Sequence, residues 1–133
     1  IHIAPFCSVI GGKSSDFIME DFSAISAGTR VICSSDDFIS GPFTNPTIPI
    51  KFRPNCKIGT VIIKKHVVVG TNSVIMPNVI LKEGSGTGAM TLVNRDLDEW
   101  GIYIGSPCKK IKERDKENIL NGEKEYKNYL RGE

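Results

Sequence analysis

The sequence predicts an all-β fold in which short parallel strands stack as the successive coils of a solenoid. From Ile63 to Val93, an aliphatic or β-branched residue opens every step of six: Ile63, Val69, Ile75, Leu81, Thr87 and Val93. A second set, four positions behind each of the first five, is small or β-branched: Val67, Ser73, Val79, Ser85 and Thr91. A period of six fits neither the 3.6-residue turn of a helix nor the two-residue alternation of a long strand. It is typical of short strands separated by polar or glycine corners, with both repeating sets facing the interior.

Less regular coils precede this repeat. The segments Ile3 to Val9 and Ile25 to Val31 each give one step of six, with Cys7 in the small interior position of the first. Between them, Gly11 to Asp16 has the composition of a turn, and Ile18 to Ala24 has β character. A single coil cannot bury its apolar face, so we expect all of these coils to stack in parallel into one core.

The period disappears between Cys33 and Cys56. This stretch contains four of the seven prolines and no recurrence of six residues. A solenoid tolerates such an excursion because the chain can leave the stack at a corner and return to it. Loops of this length in compact domains usually carry function, although a purely decorative surface loop is the alternative.

The end of the chain changes character after the last repeat. Residues 109–133 hold 8 Lys or Arg and 6 Asp or Glu, so 14 of the 32 charged residues fall in this last part. We therefore expect a β-solenoid domain over residues 1–108 and a helical tail over 109–133. Within the tail, Lys109 to Leu120 is rich in helix formers, Asn121-Gly122 is expected to end that helix, and Glu123 to Leu130 to add a further turn.

Composition excludes several classes of function. The net charge of +2 gives no basis for nucleic-acid binding, and no apolar run approaches the roughly 20 residues of a membrane span. Four widely spaced cysteines with no C-x-x-C pair favour reduced, packed thiols and a cytoplasmic location. Because Ile1 stands where a start methionine would, we expect a processed or partly recorded chain.

The repeat and the residues that follow it carry a family resemblance. Beside the hexads stand Gly88-Ala89, Asp96, Gly101, Gly105, Pro107 and Lys109-Lys110-Ile111. Together they resemble the hexapeptide-repeat acyltransferases, in particular the branch of galactoside and maltose O-acetyltransferases. The resemblance implies a left-handed parallel β-helix with an extended loop and a C-terminal α-helix. It also implies a homotrimer that binds acetyl-CoA between subunits and acetylates a sugar, usually in cell-surface polysaccharide synthesis.

The same resemblance assigns residues to the cofactor. Gly88 and Ala89, small residues at a corner, would let the pantetheine arm approach the main chain. Pro107 would set the turn beyond the repeat. Lys109 and Lys110, with Arg114 as a further candidate, would bind the 3′-phosphate of CoA. The alternative for the lysines is a solvated surface, as for most charged side chains.

The general base is not identified by the sequence. An acceptor hydroxyl must lose a proton as it attacks the thioester, and the resembling enzymes use a histidine in the excursion. Here the loop instead contains Asp36-Asp37, and the histidines of the chain are His2 and His66. Three hypotheses remain open: Asp36 or Asp37 takes the proton, His66 reaches the site from a neighbouring chain, or an amine acceptor needs no enzyme base. The alternatives are a self-capping turn for the aspartates and a wet corner for His66.

Further residues of the excursion could contact the acceptor, and two other functions are possible for this fold. Thr44 and Asn45 have donors and acceptors suited to a sugar, although they also suit a turn. A metal hydrase of the γ-carbonic-anhydrase type needs three histidines, which two cannot supply, so no metal site is predicted. A non-catalytic β-helix scaffold is the remaining alternative, against which the Pro107 to Lys110 motif and the excursion both argue.

Overall fold

The computed structural model describes all 133 residues, which form fifteen short strands and one α-helix. The strands are β1 His2–Ile3, β2 Ser8–Ile10, β3 Asp16–Met19, β4 Ala24–Ile25, β5 Arg30–Ile32, β6 Ser34–Ser35, β7 Lys57–Ile58, β8 Thr60–Ile63, β9 Val68–Val69, β10 Val74–Ile75, β11 Ile80–Leu81, β12 Gly86–Thr87, β13 Leu92–Val93, β14 Gly101–Ile104 and β15 Lys109–Glu113. A 3₁₀ turn covers Ile50–Phe52, and helix α1 covers Lys116–Leu130.

The strands stack into three parallel faces of a prism. The first face contains β1, β4, β9, β12 and β14, the second β2, β5, β10 and β13, and the third β3, β8 and β11. The chain visits the first, second and third faces in turn, and each strand pairs in parallel with the strand one coil away. The predicted parallel coils are therefore confirmed, because a six-residue step carries the chain along one face and around one corner.

The interior contains the two repeating sets that the sequence singled out. The leading residues Ile63, Val69, Ile75, Leu81 and Val93 have no exposed surface, and Thr87 is 8% exposed. The second set is buried as well: Val67, Ser73, Val79, Ser85 and Thr91. Each fully buried aliphatic side chain stabilises the fold by about 1.5 to 3 kcal/mol relative to exposure.

The prism has three edges, which we name by what lies on them. The glycine edge joins the first face to the second and contains Gly28, Gly70 and Gly88. The loop edge joins the second face to the third, and the excursion leaves the stack there between β5 and β8. The tail edge joins the third face to the first and contains His66 and Trp100, both at positive φ.

The tail differs from the expected helix at its start. Lys109 to Glu113 form β15, which pairs antiparallel with β14 across a register irregularity between Ile102 and Tyr103. The last strand of the first face has no further parallel coil to pair with, and folding the chain back after Cys108 satisfies its backbone groups. Helix α1 begins only after Asp115, whose carboxylate accepts a hydrogen bond from Asn118 N at 3.0 Å.

The expected break at Asn121-Gly122 was wrong, because α1 continues through both residues to Leu130. A glycine inside a helix costs about 1 kcal/mol relative to alanine. The contacts that Glu123 makes with the prism, described below, offset that cost. This helix is too short and too polar to cross a membrane.

Candidate active site

The sequence-predicted site residues occupy all three edges of the prism. Gly88 and Ala89 lie on the glycine edge, between β12 and β13. Asp36 and Asp37 lie in the excursion on the loop edge, and His66 lies on the tail edge between β8 and β9. One chain therefore does not bring the candidate bases and the candidate CoA residues together.

The loop edge contains a cleft of about 340 Å³. Strands β6 and β7 lie at the beginning and the end of the excursion, and they pair antiparallel beside the stack. The two aspartates follow β6 and line the cleft opposite residues from the corners of later coils. The other lining residues are Ser35, Phe38, Ile39, Lys57, Met76, Pro77 and Asn94.

Asp36 is held in this cleft by an arginine of the same excursion. Arg53 Nη1 donates to Asp36 Oδ1 at 2.5 Å, and the two side chains are only 13% and 14% exposed. Arg53 Nε donates in turn to the carbonyl of Ile48 at 2.8 Å, which fixes the guanidinium plane. The Asp36 carboxylate is thus oriented rather than mobile, as expected of a group that acts on a bound substrate.

Asp37 caps its own loop. Its carboxylate accepts hydrogen bonds from the hydroxyl and backbone N–H of Ser40 and from Ile39 N, and Asn55 Nδ2 adds a longer contact at 3.3 Å. These donors, the Ser40 side chain first, hold the pKa of Asp37 well below its ordinary value. Because these donors belong to its own loop, the geometry of Asp37 supports the self-capping alternative.

Thr44 and Asn45 lie elsewhere on the excursion. Asn45 Oδ1 accepts from the backbone N–H and the hydroxyl of Thr47 at 3.0 and 2.9 Å. Both predicted acceptor residues are exposed, and neither lines the cleft around Asp36. Within one chain, Asn45 has the geometry of a turn residue.

Gly88 and Ala89 lie next to each other on the glycine edge but differ in their backbone contacts. Gly88 packs under the coil: its N–H donates to Tyr103 O, its carbonyl accepts from Thr91 Oγ1, and a Cβ on Gly70 would lie 2.4 Å from that carbonyl. Ala89 is exposed, and its backbone N–H and carbonyl make no hydrogen bond within the chain. Ala89 is therefore the residue here whose main chain is free to bind an amide-bearing ligand.

The turn beyond β14 extends this edge. Leu92 N donates to Gly105 O at 2.9 Å, and Cys108 N donates to Leu92 O at 3.0 Å, so Pro107 lies directly above the Gly88 corner. Lys109 is exposed and forms no ion pair. Lys110 pairs with Glu113 at 2.5 Å, and that hydrogen bond raises the pKa of Lys110. Lys109 is thus the better-placed cation of the two.

His66 on the tail edge anchors helix α1. Its Nε2 lies 2.6 Å from Glu123 Oε2, and the two side chains are 8% and 7% exposed. Phe22 stacks on the imidazole with the ring centroids 5.2 Å apart. Arg114 Nη1 donates to the carbonyls of His66 and Gly84, so the guanidinium is committed to this edge and burial lowers its pKa. These contacts favour structural roles for His66 and Arg114 at this edge.

Known acyltransferases resemble this chain in sequence and in structure. No protein-family model matches the chain. The dTDP-4-amino-4,6-dideoxy-D-glucose acyltransferase of Escherichia coli is 37% identical over 117 residues, which cover 87% of this chain and 59% of that protein. The crystal structure of AntD, an N-acyltransferase from Bacillus cereus, in complex with dTDP and 3-hydroxybutyryl-CoA superimposes with a TM-score of 0.91. Its sequence is 42% identical, and the match covers 98% of this chain and 68% of AntD.

This chain belongs to the hexapeptide-repeat acyltransferases. Galactoside acetyltransferase in complex with coenzyme A also superimposes, with a TM-score of 0.60 at 15% identity over 89% of this chain and 67% of that one, which supports the fold alone. The chain spans about three-fifths of the length of the first curated relatives it matches. By both identity and TM-score, this hexapeptide-repeat acyltransferase is more similar to AntD than to this galactoside enzyme.

Sequence reasoning about this hexapeptide-repeat acyltransferase missed Arg53 and Glu123. Each lies far along the chain from its partner, Arg53 17 residues from Asp36 and Glu123 57 residues from His66. No local sequence motif indicates either pair.

The Glu123 contacts make a testable contribution to stability. Hydrogen bonds from Lys127, Lys65 and His66, in that order, lower the pKa of Glu123 from its ordinary 4.5 to about 2. The stabilisation is therefore complete above pH 4.5 and is lost as the pH falls through about 2. Glu123→Gln should lower the free energy of unfolding by about 2 kcal/mol at pH 7, measured by urea denaturation.

The control is Glu125→Gln, an exposed glutamate on the same helix without an ion pair. It should leave the free energy of unfolding within about 0.5 kcal/mol of the wild type. Equal effects of the two substitutions would contradict an anchoring role for Glu123.

Proposed function

We propose that this chain forms the acyl-transfer part of an enzyme that moves an acetyl or related short acyl group from CoA to the amino group of a nucleotide-activated sugar. The observation that carries the proposal is its 42% identity and TM-score of 0.91 to AntD, an N-acyltransferase whose structure contains dTDP and an acyl-CoA. The amino-sugar acyltransferase of Escherichia coli supports the same acceptor class. No metal takes part in the proposed chemistry.

An amine acceptor explains why the excursion contains no histidine. A sugar ammonium is attracted to a carboxylate, and it must lose a proton before its nitrogen can attack. In the proposed reaction the Asp36 carboxylate binds the ammonium and takes that proton. The neutral nitrogen attacks the thioester carbonyl to form the C–N bond, the C–S bond breaks, and the second proton lost by the nitrogen passes to the departing CoA thiolate.

The donor is proposed to lie along the glycine edge. The free N–H and carbonyl of Ala89 suit an amide of the pantetheine arm, and Gly88 beside it lets the next coil pack closely on this corner, because a Cβ there would lie 2.9 Å from Ile104. Pro107 shapes the turn above this corner, and Lys109, with Lys110 beside it, supplies positive charge for the 3′-phosphate.

Because these residues lie on different edges of one prism, we propose that the site is completed between chains. The glycine edge of one protomer would face the loop edge of the next, in a homotrimer of left-handed β-helices. Helix α1 packs on the tail edge through Glu123 and Tyr126. Asp37 and His66 then act structurally, in the loop and at the helix, and Thr44 and Asn45 are retained as acceptor contacts across the interface. A cytoplasmic location, where acyl-CoA is available, and a part in cell-surface polysaccharide synthesis belong to the same proposal.

The test is CoA release from acetyl-CoA with a panel of acceptors. We expect turnover with a dTDP-linked 4-amino sugar, and rates lower by at least about a hundredfold with the matched 4-hydroxy sugar and with plain galactosides. Turnover with galactosides alone would contradict the assignment of the amine. Absence of CoA binding at millimolar ligand, measured by isothermal titration, would support the scaffold alternative.

A further inference from the structure

A second pocket lies on the other side of the excursion from the aspartate cleft. It has a volume of about 460 Å³ and lies between the Gly11-Gly12 corner of the first coil and the Pro46 to Cys56 part of the excursion. We name it the GGKS pocket after residues 11–14. A smaller depression of about 290 Å³ shares Gly11, Ser34 and Arg53 with it and is lined by Asp36 as well. The GGKS pocket is therefore continuous with the proposed reaction centre.

The lining of the GGKS pocket is polar and positively charged. Lys13 and Arg53 supply the charge, and Ser14 and Ser34 add hydroxyl groups. Arg53 uses Nε on Ile48 O and Nη1 on Asp36 Oδ1, while its Nη2 makes no hydrogen bond within the chain. Lys13 forms no ion pair with any carboxylate of the chain. A guanidinium with donors left over and an unpaired ammonium are the groups that recognise phosphate oxygens.

The backbone of the corner adds to this character. The N–H groups of Lys13 and Ser14 make no hydrogen bond within the chain, whereas Gly12 N and Gly12 O close the turn with Ser15. A Cβ on Gly12 would meet nothing within 4 Å, so the main chain there is open to a ligand. Free N–H groups beside two cations reinforce a preference for an anion.

We infer that the GGKS pocket holds the diphosphate of a nucleoside diphosphate, bound by Lys13 and Arg53. The inference rests on the proposed function, since it names where the nucleotide part of the acceptor sits. Arg53 then has two tasks, because one nitrogen orients Asp36 while another faces the diphosphate. A sugar attached to that diphosphate extends through the shared depression towards the Asp36 carboxylate. CoA also carries a diphosphate, and the experiment separates the two ligands.

The test is isothermal titration of the whole chain with dTDP alone, followed by titration with CoA. Lys13→Ala should weaken dTDP binding by at least about fivefold and leave CoA affinity within about twofold. The matched control is Lys51→Ala, which removes an exposed lysine of the same excursion that does not line the pocket. It should leave both affinities within about twofold. Arg53→Lys keeps a positive charge beside Asp36 but loses the fork, and should weaken dTDP binding by at least about tenfold.

The outcomes separate this inference from the proposed function. Unchanged dTDP affinity in Lys13→Ala, or a loss of CoA affinity instead, would overturn the assignment even if amino sugars are acylated. Absence of dTDP binding by the wild-type chain would overturn it as well. Selective loss of dTDP affinity in a chain that acylates no amino sugar would support the pocket while contradicting the reaction.

Discussion

Asp36→Asn is expected to lower kcat for acylation of a nucleotide-linked amino sugar by at least about a hundredfold. Asparagine has nearly the same shape, and its amide oxygen can still accept the hydrogen bond from Arg53, so the loop should keep its conformation. The amide can neither attract an ammonium nor take its proton. Steady-state kinetics at saturating acetyl-CoA measures the effect, and isothermal titration should give an unchanged affinity for CoA.

Asp37→Asn is the matched control, because it makes the same change at the next residue. An amide oxygen can still accept from Ser40 and Ile39, although more weakly, so we expect less than a tenfold loss of kcat. A larger loss from Asp37→Asn than from Asp36→Asn would reverse the roles proposed for the two residues. Equal, small losses would indicate that the amine reacts without a base from this loop.

Gly84→Ala is expected to lower the free energy of unfolding by about 3 kcal/mol. Gly84 has a φ of +72°, and a Cβ there would lie 2.2 Å from Cε3 of the Trp100 ring. Trp100 is 5% exposed, so its ring cannot move aside without opening the tail edge. Urea denaturation measures the loss, which corresponds to a fall in Tm of about 10 °C for a chain of this size.

Gly122→Ala provides the opposite control. A Cβ on Gly122 would meet nothing within 4 Å, and the residue lies inside α1. Alanine should therefore raise the free energy of unfolding, by up to about 1 kcal/mol. If Gly84→Ala were as stable as the wild type, the packing of Trp100 over this corner would not constrain the coil.

The coils were predictable because a repeat states the same local preference many times. Ile63, Val69 and Ile75 occupy equivalent positions, so one chance apolar residue could not have produced the pattern. The tail was harder to predict, because its elements depend on distant partners. Lys109 to Glu113 form a strand because β14 offers an open edge, and Gly122 stays helical beside Glu123 because that carboxylate is bound by the prism.

Parts of the candidate site were likewise predictable from the sequence, and other parts were not. The absence of a loop histidine made Asp36 and Asp37 candidates together, and both line the cleft on the loop edge. The sequence did not separate Asp36 from Asp37, because their difference depends on Arg53 and Ser40, which bind them in the folded loop. Likewise, the free backbone of Ala89 and the packed backbone of Gly88 follow from the stacking of Gly70, not from residue type.

The proposed donor-binding residues lie on one edge of each prism and Asp36 lies on another, so in the proposed assembly a single protomer contains two incomplete halves of a reaction centre. Turnover per chain would then depend on protein concentration, because dilution would separate each glycine edge from the loop edge of its neighbour. The rate of acylation in a cell would rise more steeply than in direct proportion to the concentration of the polypeptide.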